Sequence, residues 1–329
     1  MPYSGEIVRR ARLRLDERKA EKEARYRRNL QTAYAQVPRL QDIDRQLRSG
    51  MVRAAQAAFT KGGNAEEMMA QLKEENLMLQ CEYGTLVQAN FEPGFLDDAP
   101  LCSLCNDNGY IGSAMCRCMA ALCREEQRKE IADLTNGTER FSAFRLEYYT
   151  DRIDPRLGTS PRFIMEQNFQ LCRHYAATFG AGSGNLLFVG GTGLGKTFLS
   201  ACIANEVTDK GHSVSYESAP RLFSKLEKNR FSPDEESRQE VLGLMQSDLL
   251  IVDDLGTEMP GSFVTAALYS LVNDRLLAGK STIISTNLNI EEIRVRYSPQ
   301  IASRLEGSFQ GLTFVGEDIR VMKSRGVTF

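Results

Sequence analysis

The chain has 329 residues, of which 42% are hydrophobic and 26% are charged, and its formal net charge is −2. This length accommodates two domains with separate cores, and the near-neutral charge excludes strong nonspecific attraction to nucleic acid unless a local basic patch supplies it. No apolar run reaches membrane-spanning length, and the N-terminal residues lack the apolar core of a secretory signal. We therefore expect a cytoplasmic protein that does not contact a membrane.

The first third of the sequence predicts helices. Residues 6–36 are rich in charge and in good helix formers, and further helices are predicted over residues 40–59 and 64–80. Within the first 30 residues ten are basic and five are acidic. Such a helix either binds acidic partners or phosphates, or is a solvated helix with internal ion pairs. The apolar stripes of these helices fit either a small core or a partner surface.

A cysteine cluster follows the helices. Five of the eight cysteines lie between Cys102 and Cys123. Cys102 and Cys105 form a C-x-x-C pair, and Cys116 and Cys118 form a C-x-C pair. Four thiolates from two turns can enclose Zn²⁺ tetrahedrally without an open position, so the predicted site is structural. Cys123 could replace Cys118 as the fourth ligand, and reduced thiols without a metal are the alternative.

A domain boundary is predicted after a helix over residues 124–134. Residues 1–134 would form a helical N-terminal region with the cysteine cluster, and residues 135–329 a second domain. The segment that follows carries four aromatic residues, which either dock near the adenine of a bound nucleotide or pack into the core. They are Phe141, Phe144, Tyr148 and Tyr149. A helix over residues 160–179 then leads into the second domain.

A phosphate-binding loop stands between a predicted strand over residues 186–189 and a predicted helix over residues 198–207. Its sequence GGTGLGKT matches the pattern G-x-x-x-x-G-K-[ST]. The loop consists of Gly190, Gly191, Thr192, Gly193, Leu194, Gly195, Lys196 and Thr197. The glycines allow backbone N–H groups to point inward, Lys196 can reach the β and γ phosphates, and Thr197 can hold Mg²⁺. The pattern predicts ATP binding, and a glycine-rich turn without a ligand is the alternative.

Beyond this loop, predicted strands and helices alternate. This alternation indicates an α/β domain in which a mostly parallel sheet is covered on both faces. Strands are predicted over residues 212–217, 248–252, 281–285 and 312–315, and helices over residues 221–229 and 263–277.

Polar residues follow two of these strands. Asp253 and Asp254 come directly after the apolar run 249–252, at the edge where open α/β sheets place ligands. Asp253 would hold Mg²⁺ through water, and Asp254 would orient or deprotonate the attacking water. Because many related ATPases have glutamate in the second position, we expect slow hydrolysis, with Glu258 as a weaker substitute. Asn287, at the end of STIISTN, would sense the γ phosphate or position the water.

The motifs GGTGLGKT, LLIVDDLG, IISTNL and ASRLEG together resemble the AAA+ ATPase domain of bacterial replicative helicase loaders, the DnaC and DnaI family, and of the related transposition helper IstB. The N-terminal stretches VPRLQDIDRQL and CSLCNDNGYIGSAMCRC resemble the helicase-binding, zinc-containing region of DnaI-type loaders. The resemblance implies a P-loop NTPase domain with little or no helical lid after the parallel sheet. It also implies that Arg304 completes a neighbouring subunit's site as an arginine finger, and it places Arg320 near a sensor arginine.

The resemblance further implies an ATP-dependent loader that self-assembles, binds the hexameric replicative DNA helicase and helps place it on single-stranded DNA. Its ATPase would be slow and regulatory. Two alternatives are an IstB-like transposition helper that assembles on duplex DNA, and a zinc-stabilised ATP-binding adaptor with little hydrolysis. The residues that would contact DNA stay open, because a solvated face explains the basic stretch within residues 221–230 equally well. Its basic members are Arg221, Lys225, Lys228 and Arg230.

Overall fold

A computed structural model of the chain describes residues 3–59, 65–135, 137 and 139–325. Contacts divide the chain into two compact units. One unit is Arg14–Ala114, and the other combines Met1–Leu13 with Met115–Phe329. Among the described residues, no helix is long and apolar enough to cross a bilayer.

The helical region contains α1 (Gly5–Gln36), α2 (Pro38–Phe59) and α3 (Ala65–Asn90), followed by a hairpin of β1 (Tyr110–Ile111) and β2 (Ala114–Met115). Helix α2 packs against α3, and Arg39 donates two hydrogen bonds to Glu82, at 2.7 and 2.9 Å. The three predicted helices are present. Helix α3 continues ten residues beyond its predicted end, because the single glycine in this segment costs only about 1 kcal/mol in a helix. The predicted helix break at residues 61–63 and the predicted first residue, 64, lie outside the described residues.

The remaining elements start with α4 (Arg117–Leu134) and two 3₁₀ turns (Phe141–Ala143 and Leu146–Tyr148). They continue with α5 (Pro161–Thr178), β3 (Asn185–Val189), α6 (Lys196–Asp209), β4 (Val214–Ser218), α7 (Ala219–Phe231) and α8 (Glu235–Gln246). The last are β5 (Leu249–Leu255), α9 (Ser262–Leu277), β6 (Ser281–Thr286), α10 (Ile290–Arg296), α11 (Pro299–Ser308), β7 (Phe309–Thr313) and α12 (Ile319–Ser324).

In the described part of the chain, five strands form one parallel sheet in the order β4-β5-β6-β3-β7. Side chains of β5 alternate between the two cores: Leu249 and Ile251 belong to one hydrophobic cluster, Leu250 and Val252 to the other. All four are fully buried, as expected for a strand covered on both faces. The predicted α/β class is confirmed, and the order brings the carboxyl ends of β3, β5 and β6 together.

Helix α4 packs against α6 and β4 of the sheet-containing unit. Its Gln127 donates to the Thr208 hydroxyl at 2.8 Å, and Arg128 donates to Asp209 at 2.9 Å. By contacts, α4 therefore groups with the sheet, whereas the predicted boundary places it in the N-terminal region. The boundary between residues 134 and 135 stays a prediction about functional regions.

Candidate functional site

The phosphate loop runs from the end of β3 to the first residues of α6, in the strand, loop and helix order that the sequence predicts. Two of its glycines are required by geometry. A Cβ on Gly190 would lie 2.4 Å from the main-chain oxygen of Phe314. Gly195 has a φ of 93° and packs so closely against Tyr149 that a Cβ would lie 2.9 Å from the hydroxyl. Larger residues at these positions would push the loop out of shape.

The Lys196 side chain points back into the loop. Its Nζ donates to the main-chain oxygens of Gly190 and Gly191 at 2.7 and 2.6 Å, and to Asn287 Oδ1 at 2.7 Å. The residue is only 4% exposed. Burial lowers the pKa of this amine, while the carboxylates of Asp254 and Asp253 oppose that effect. Lys196 and Asn287, which the sequence places at different strand ends, thus lie in direct contact.

Asp253 is a buried carboxylate whose two oxygens are both held by hydroxyl groups. The Ser285 hydroxyl contacts one oxygen, and the Tyr216 hydroxyl donates to the other at 3.1 Å. Burial first, and then the nearby Asp253 charge, raise the pKa of Tyr216 well above its usual value, so this phenol stays a donor. Tyr216 and Ser285 orient the predicted magnesium ligand, and no motif in the sequence predicts either residue.

Asp254 adopts a left-handed backbone conformation, with a φ of 56°. Its N–H donates to the Ser285 hydroxyl at 2.9 Å, and its carbonyl accepts from both the N–H and the hydroxyl of Thr257, at 3.2 and 2.8 Å. Burial first, and Asp253 second, raise the pKa of this carboxyl. A raised pKa makes a carboxylate a better proton acceptor near neutral pH, which suits the predicted role.

A cleft of about 230 Å³ runs along the loop. Lys196, Thr197, Asp254 and Asn287 line it, together with residues from outside the sheet edge. The additional lining residues include Glu139, Phe144, Arg145, Tyr148, Arg320 and Lys323.

The contacts of the aromatic segment before α5 agree with both interpretations that its sequence left open. Tyr149 is fully buried, and its hydroxyl donates to the Leu194 main-chain oxygen at 2.9 Å. Phe144 stacks on Tyr149 at 5.8 Å and on Phe169 at 5.0 Å. Phe144 and Tyr148 also line the cleft. The segment therefore packs into the core and forms one wall of the cleft as well.

The two predicted arginines lie in different places. Arg320 lines the cleft from α12. Arg304 lies on α11, where its guanidinium sits 5.5 Å from the centre of the Tyr269 ring. The described residues that line the cleft do not include Arg304. They do not include Glu258 either, because its carboxylate accepts from the Gly256 N–H at 2.8 Å and contacts the Tyr297 hydroxyl. This geometry does not support Glu258 as a substitute base.

The basic stretch of α7 is largely compensated by acids. Lys225 contacts Glu217 and Glu240 at 2.7 and 3.3 Å, and Lys228 contacts Asp234 at 3.1 Å. These pairs favour the solvated-face interpretation of this helix over a phosphate-binding one.

The four predicted cysteine ligands converge. The sulfur atoms of Cys102, Cys105, Cys116 and Cys118 all lie within 4.8 Å of one another. Thiolates bound to one zinc ion at about 2.3 Å would lie roughly 3.8 Å apart, so the arrangement fits tetrahedral Zn²⁺. This group of described residues contains Cys118 and not Cys123, and burial raises the pKa of Cys123 to about 11.

The turn that follows Cys105 positions the first two cysteines. The Asp107 carboxylate accepts from the N–H groups of Leu101 and Cys102 at 3.0 and 2.7 Å. The Gly109 N–H donates to Cys105 Sγ at 3.3 Å. This N–H···S bond fixes the Cys105 sulfur in place beside the other three.

Replacing Cys116 by serine tests the zinc assignment. We expect about one zinc per purified chain and a clear loss of zinc in Cys116→Ser. The midpoint of thermal unfolding should fall as well, since metal binding is coupled to folding. Elemental analysis and calorimetry measure both, with Cys81→Ser, at an exposed cysteine outside the cluster, as the matched control. Unchanged zinc content and stability in Cys116→Ser would contradict the assignment.

Residues 170–301 match the sequence profile of the family described as IstB-like ATP binding protein. The replicative helicase loader DnaC of Escherichia coli K12 is 27% identical over 134 residues, which are 40% of this chain and 54% of DnaC. The replicative helicase loader DnaI of Bacillus subtilis is 30% identical over 121 residues, which are 36% of this chain and 38% of DnaI.

A provisionally assigned insertion sequence ATP-binding protein of Sinorhizobium fredii, y4pL, is 31% identical over 141 residues, which are 41% of this chain and 56% of y4pL. The matched segments thus span about half the length of these relatives, or less. Among solved structures, the DnaC helicase loader aligns with a TM-score of 0.44 at 19% identity, covering 53% of this chain and 98% of that chain. DnaI aligns with a TM-score of 0.43 at 18% identity, covering 58% and 92%.

Proposed function

We propose that this chain, which carries an IstB-like ATP-binding domain homologous to part of the loaders DnaC and DnaI, is an ATP-dependent loader of the replicative DNA helicase. It would bind the hexameric helicase through its N-terminal region and help place it on single-stranded DNA. The observation that carries the proposal is the cleft, which Lys196, Asp254 and Asn287 line together. The helical region and the cysteine cluster, which resemble those of DnaI-type loaders, support the same reading.

We propose that the cleft binds a nucleoside triphosphate with Mg²⁺. The loop N–H groups and Lys196 would bind the phosphates, while Thr197 and Asp253 would hold the metal. Bound Mg²⁺ supplies positive charge that offsets the phosphate oxygens. Asp254 would accept a proton from the attacking water, and Asn287, which already contacts Lys196 Nζ at 2.7 Å, would sense the γ phosphate.

Hydrolysis is proposed to be slow and regulatory. Asp254 is one methylene shorter than glutamate, and its backbone is fixed at a φ of 56° by two hydrogen bonds from Thr257. Both features limit how far its carboxylate reaches toward a water. ATP would then act mainly as a switch for self-assembly, in which Arg304 of one subunit completes the site of the next.

Two alternatives have observations in their favour. The IstB-like profile over residues 170–301 and the likeness to y4pL favour a transposition helper. The helical leader and the converging cysteines fit it less well, since the resemblance assigns both features to loaders. A zinc-stabilised adaptor with little hydrolysis is favoured by the short acid at position 254.

Copurification with a hexameric replicative helicase tests the proposal. We expect the full-length chain to retain the helicase on affinity beads with or without ATP, because the binding region is placed outside the nucleotide cleft. Lys196→Ala, impaired only in the cleft, should retain it equally well. A chain that binds ATP but retains no helicase, and instead assembles on duplex DNA, would favour the transposition helper.

A further inference from the structure

Glu258 is a buried carboxylate that the proposed ATP chemistry does not use. It is 5% exposed and lies in the loop between β5 and α9. One of its oxygens accepts from the Gly256 N–H at 2.8 Å, and the other contacts the Tyr297 hydroxyl. Arg296 Nη2 donates to the main-chain oxygen of Glu258 at 2.6 Å and to its carboxylate at 3.4 Å. Glu258 therefore joins the loop after β5 to the end of α10.

The loop is tied closely to the acids at the end of β5. Thr257 donates twice to the main-chain oxygen of Asp254, at 3.2 and 2.8 Å. Gly256 has a φ of 107°, and a Cβ there would lie 2.8 Å from Leu288 Cδ1. These hydrogen bonds and the Gly256 N–H bond to Glu258 place Asp254 and Glu258 in one closed turn.

The partners of Glu258 stand at the junction between α10 and α11. Arg296 is the last residue of α10, Tyr297 caps its C-terminus, and the Ser298 hydroxyl caps the start of α11 by accepting from Ile301 at 3.2 Å. Ile301 is 1% exposed and belongs to the core. Helix α11, which carries Arg304, is therefore fixed by its buried side and by this junction.

We propose that Glu258, Arg296 and Tyr297 form a link within one subunit. This link positions Arg304 according to where the acids at the end of β5 lie. The inference rests on the proposed function, in which Arg304 acts on the nucleotide of a neighbouring subunit. Glu258 is then a positioning residue. Its loss impairs the neighbour's site and leaves the site of its own subunit intact.

The same two helices provide a matched control. Arg294 of α10 contacts Glu291 at 2.8 Å and Glu306 of α11 at 3.1 Å. The three side chains are between 38% and 69% exposed, and exposed ion pairs contribute little to stability. This pair joins α10 to α11 without a contact to the loop after β5. Arg294→Ala should therefore leave hydrolysis unchanged.

Three variants test the link in the full-length protein. Glu258→Ala removes all side-chain contacts, Glu258→Gln keeps the shape, and Tyr297→Phe removes one hydroxyl from a buried ring. We expect Glu258→Ala to lower kcat on the order of a hundredfold, as a misplacement of about 1 Å can, with ATP affinity unchanged. Glu258→Gln should restore part of the rate. Tyr297→Phe should show a smaller loss of kcat, and this variant replaces Glu258→Ala as the test if Glu258→Ala does not fold.

Mixed assemblies show which subunit's ATP site the Glu258→Ala substitution impairs. If Glu258→Ala spoils only the finger, mixing it with Lys196→Ala protein restores hydrolysis, because its intact cleft meets the intact finger of its neighbour. Mixing it with Arg304→Ala protein restores nothing, since neither chain then supplies a working finger. The opposite pattern places the defect in the subunit's own cleft and overturns the inference.

A mixture of Lys196→Ala and Arg304→Ala proteins separates this inference from the proposed function. Recovery in this mixture establishes the finger in trans, so that the opposite pattern above overturns the link alone. If mixed assemblies form and this mixture stays inactive, both the finger and the link are overturned.

Discussion

Lys196→Ala should lose ATP binding almost completely. Truncating one partner of a buried, hydrogen-bonded charge pair typically costs about 2 to 5 kcal/mol of binding free energy. This cost corresponds to roughly a 30-fold to several-thousand-fold rise in Kd. Fluorescence titration with a labelled nucleotide, or calorimetry, measures it. An unchanged affinity would remove the phosphate-loop assignment.

The structure adds a control to this experiment. The sequence predicts that Lys196 reaches the phosphates, and in the structure its Nζ also binds two loop carbonyls and Asn287. Alanine therefore leaves these groups without their donor and opens a small cavity. Lys196→Met keeps most of the volume, so a similar loss of affinity in both variants would assign the effect to the charge. Thermal unfolding shows whether the loop itself is damaged.

Arg304→Ala should keep ATP binding and lose hydrolysis. In this structure the guanidinium lies over the Tyr269 ring of its own chain, and the proposal places its target in a neighbouring subunit. An arginine finger stabilises charge that develops in the transition state, and its removal costs on the order of 10³ to 10⁵ in kcat. Steady-state hydrolysis by assembled protein measures the loss.

The control for this prediction is the mixture with Lys196→Ala protein. Every interface that pairs an intact loop with an intact finger should recover activity. Tyr269→Phe keeps the ring against which Arg304 packs and should have little effect on hydrolysis. The variant therefore distinguishes the role of the guanidinium from the role of its contact with Tyr269. If Arg304→Ala protein hydrolyses ATP at the wild-type rate, Arg304 is an ordinary surface arginine and not a finger.

The parts of the site that the sequence could predict lie at the ends of strands. The phosphate loop, Asp253 and Asn287 each follow an apolar run, and the carboxyl ends of parallel strands meet at one edge. The structure brings these segments together there. Helices α10 and α11 were not predicted, although Asn289 with Glu292, and Ser298, provide N-terminal caps that the sequence displays.

The residues that contact the acids could not be predicted from the sequence, for a different reason. Tyr216 and Ser285 contact Asp253 because β4 and β6 flank β5 in the sheet, and strand order is not encoded in local periodicity. The sequence predicts Glu258 as a second acid near the site, whereas its partners come from the end of α10, far along the chain. Such contacts between distant segments depend on the tertiary fold, which propensity and spacing do not give.

The central claim, ATP-dependent loading of a helicase, is tested most directly by placing helicase on circular single-stranded DNA. The circle offers no free end, so helicase retained on it after a gel-filtration step must have been loaded. We expect wild-type protein with ATP to raise the retained helicase well above helicase alone, and Lys196→Ala protein to give no increase. Equal retention with and without wild-type protein, under conditions where it binds both ATP and the helicase, would contradict the account.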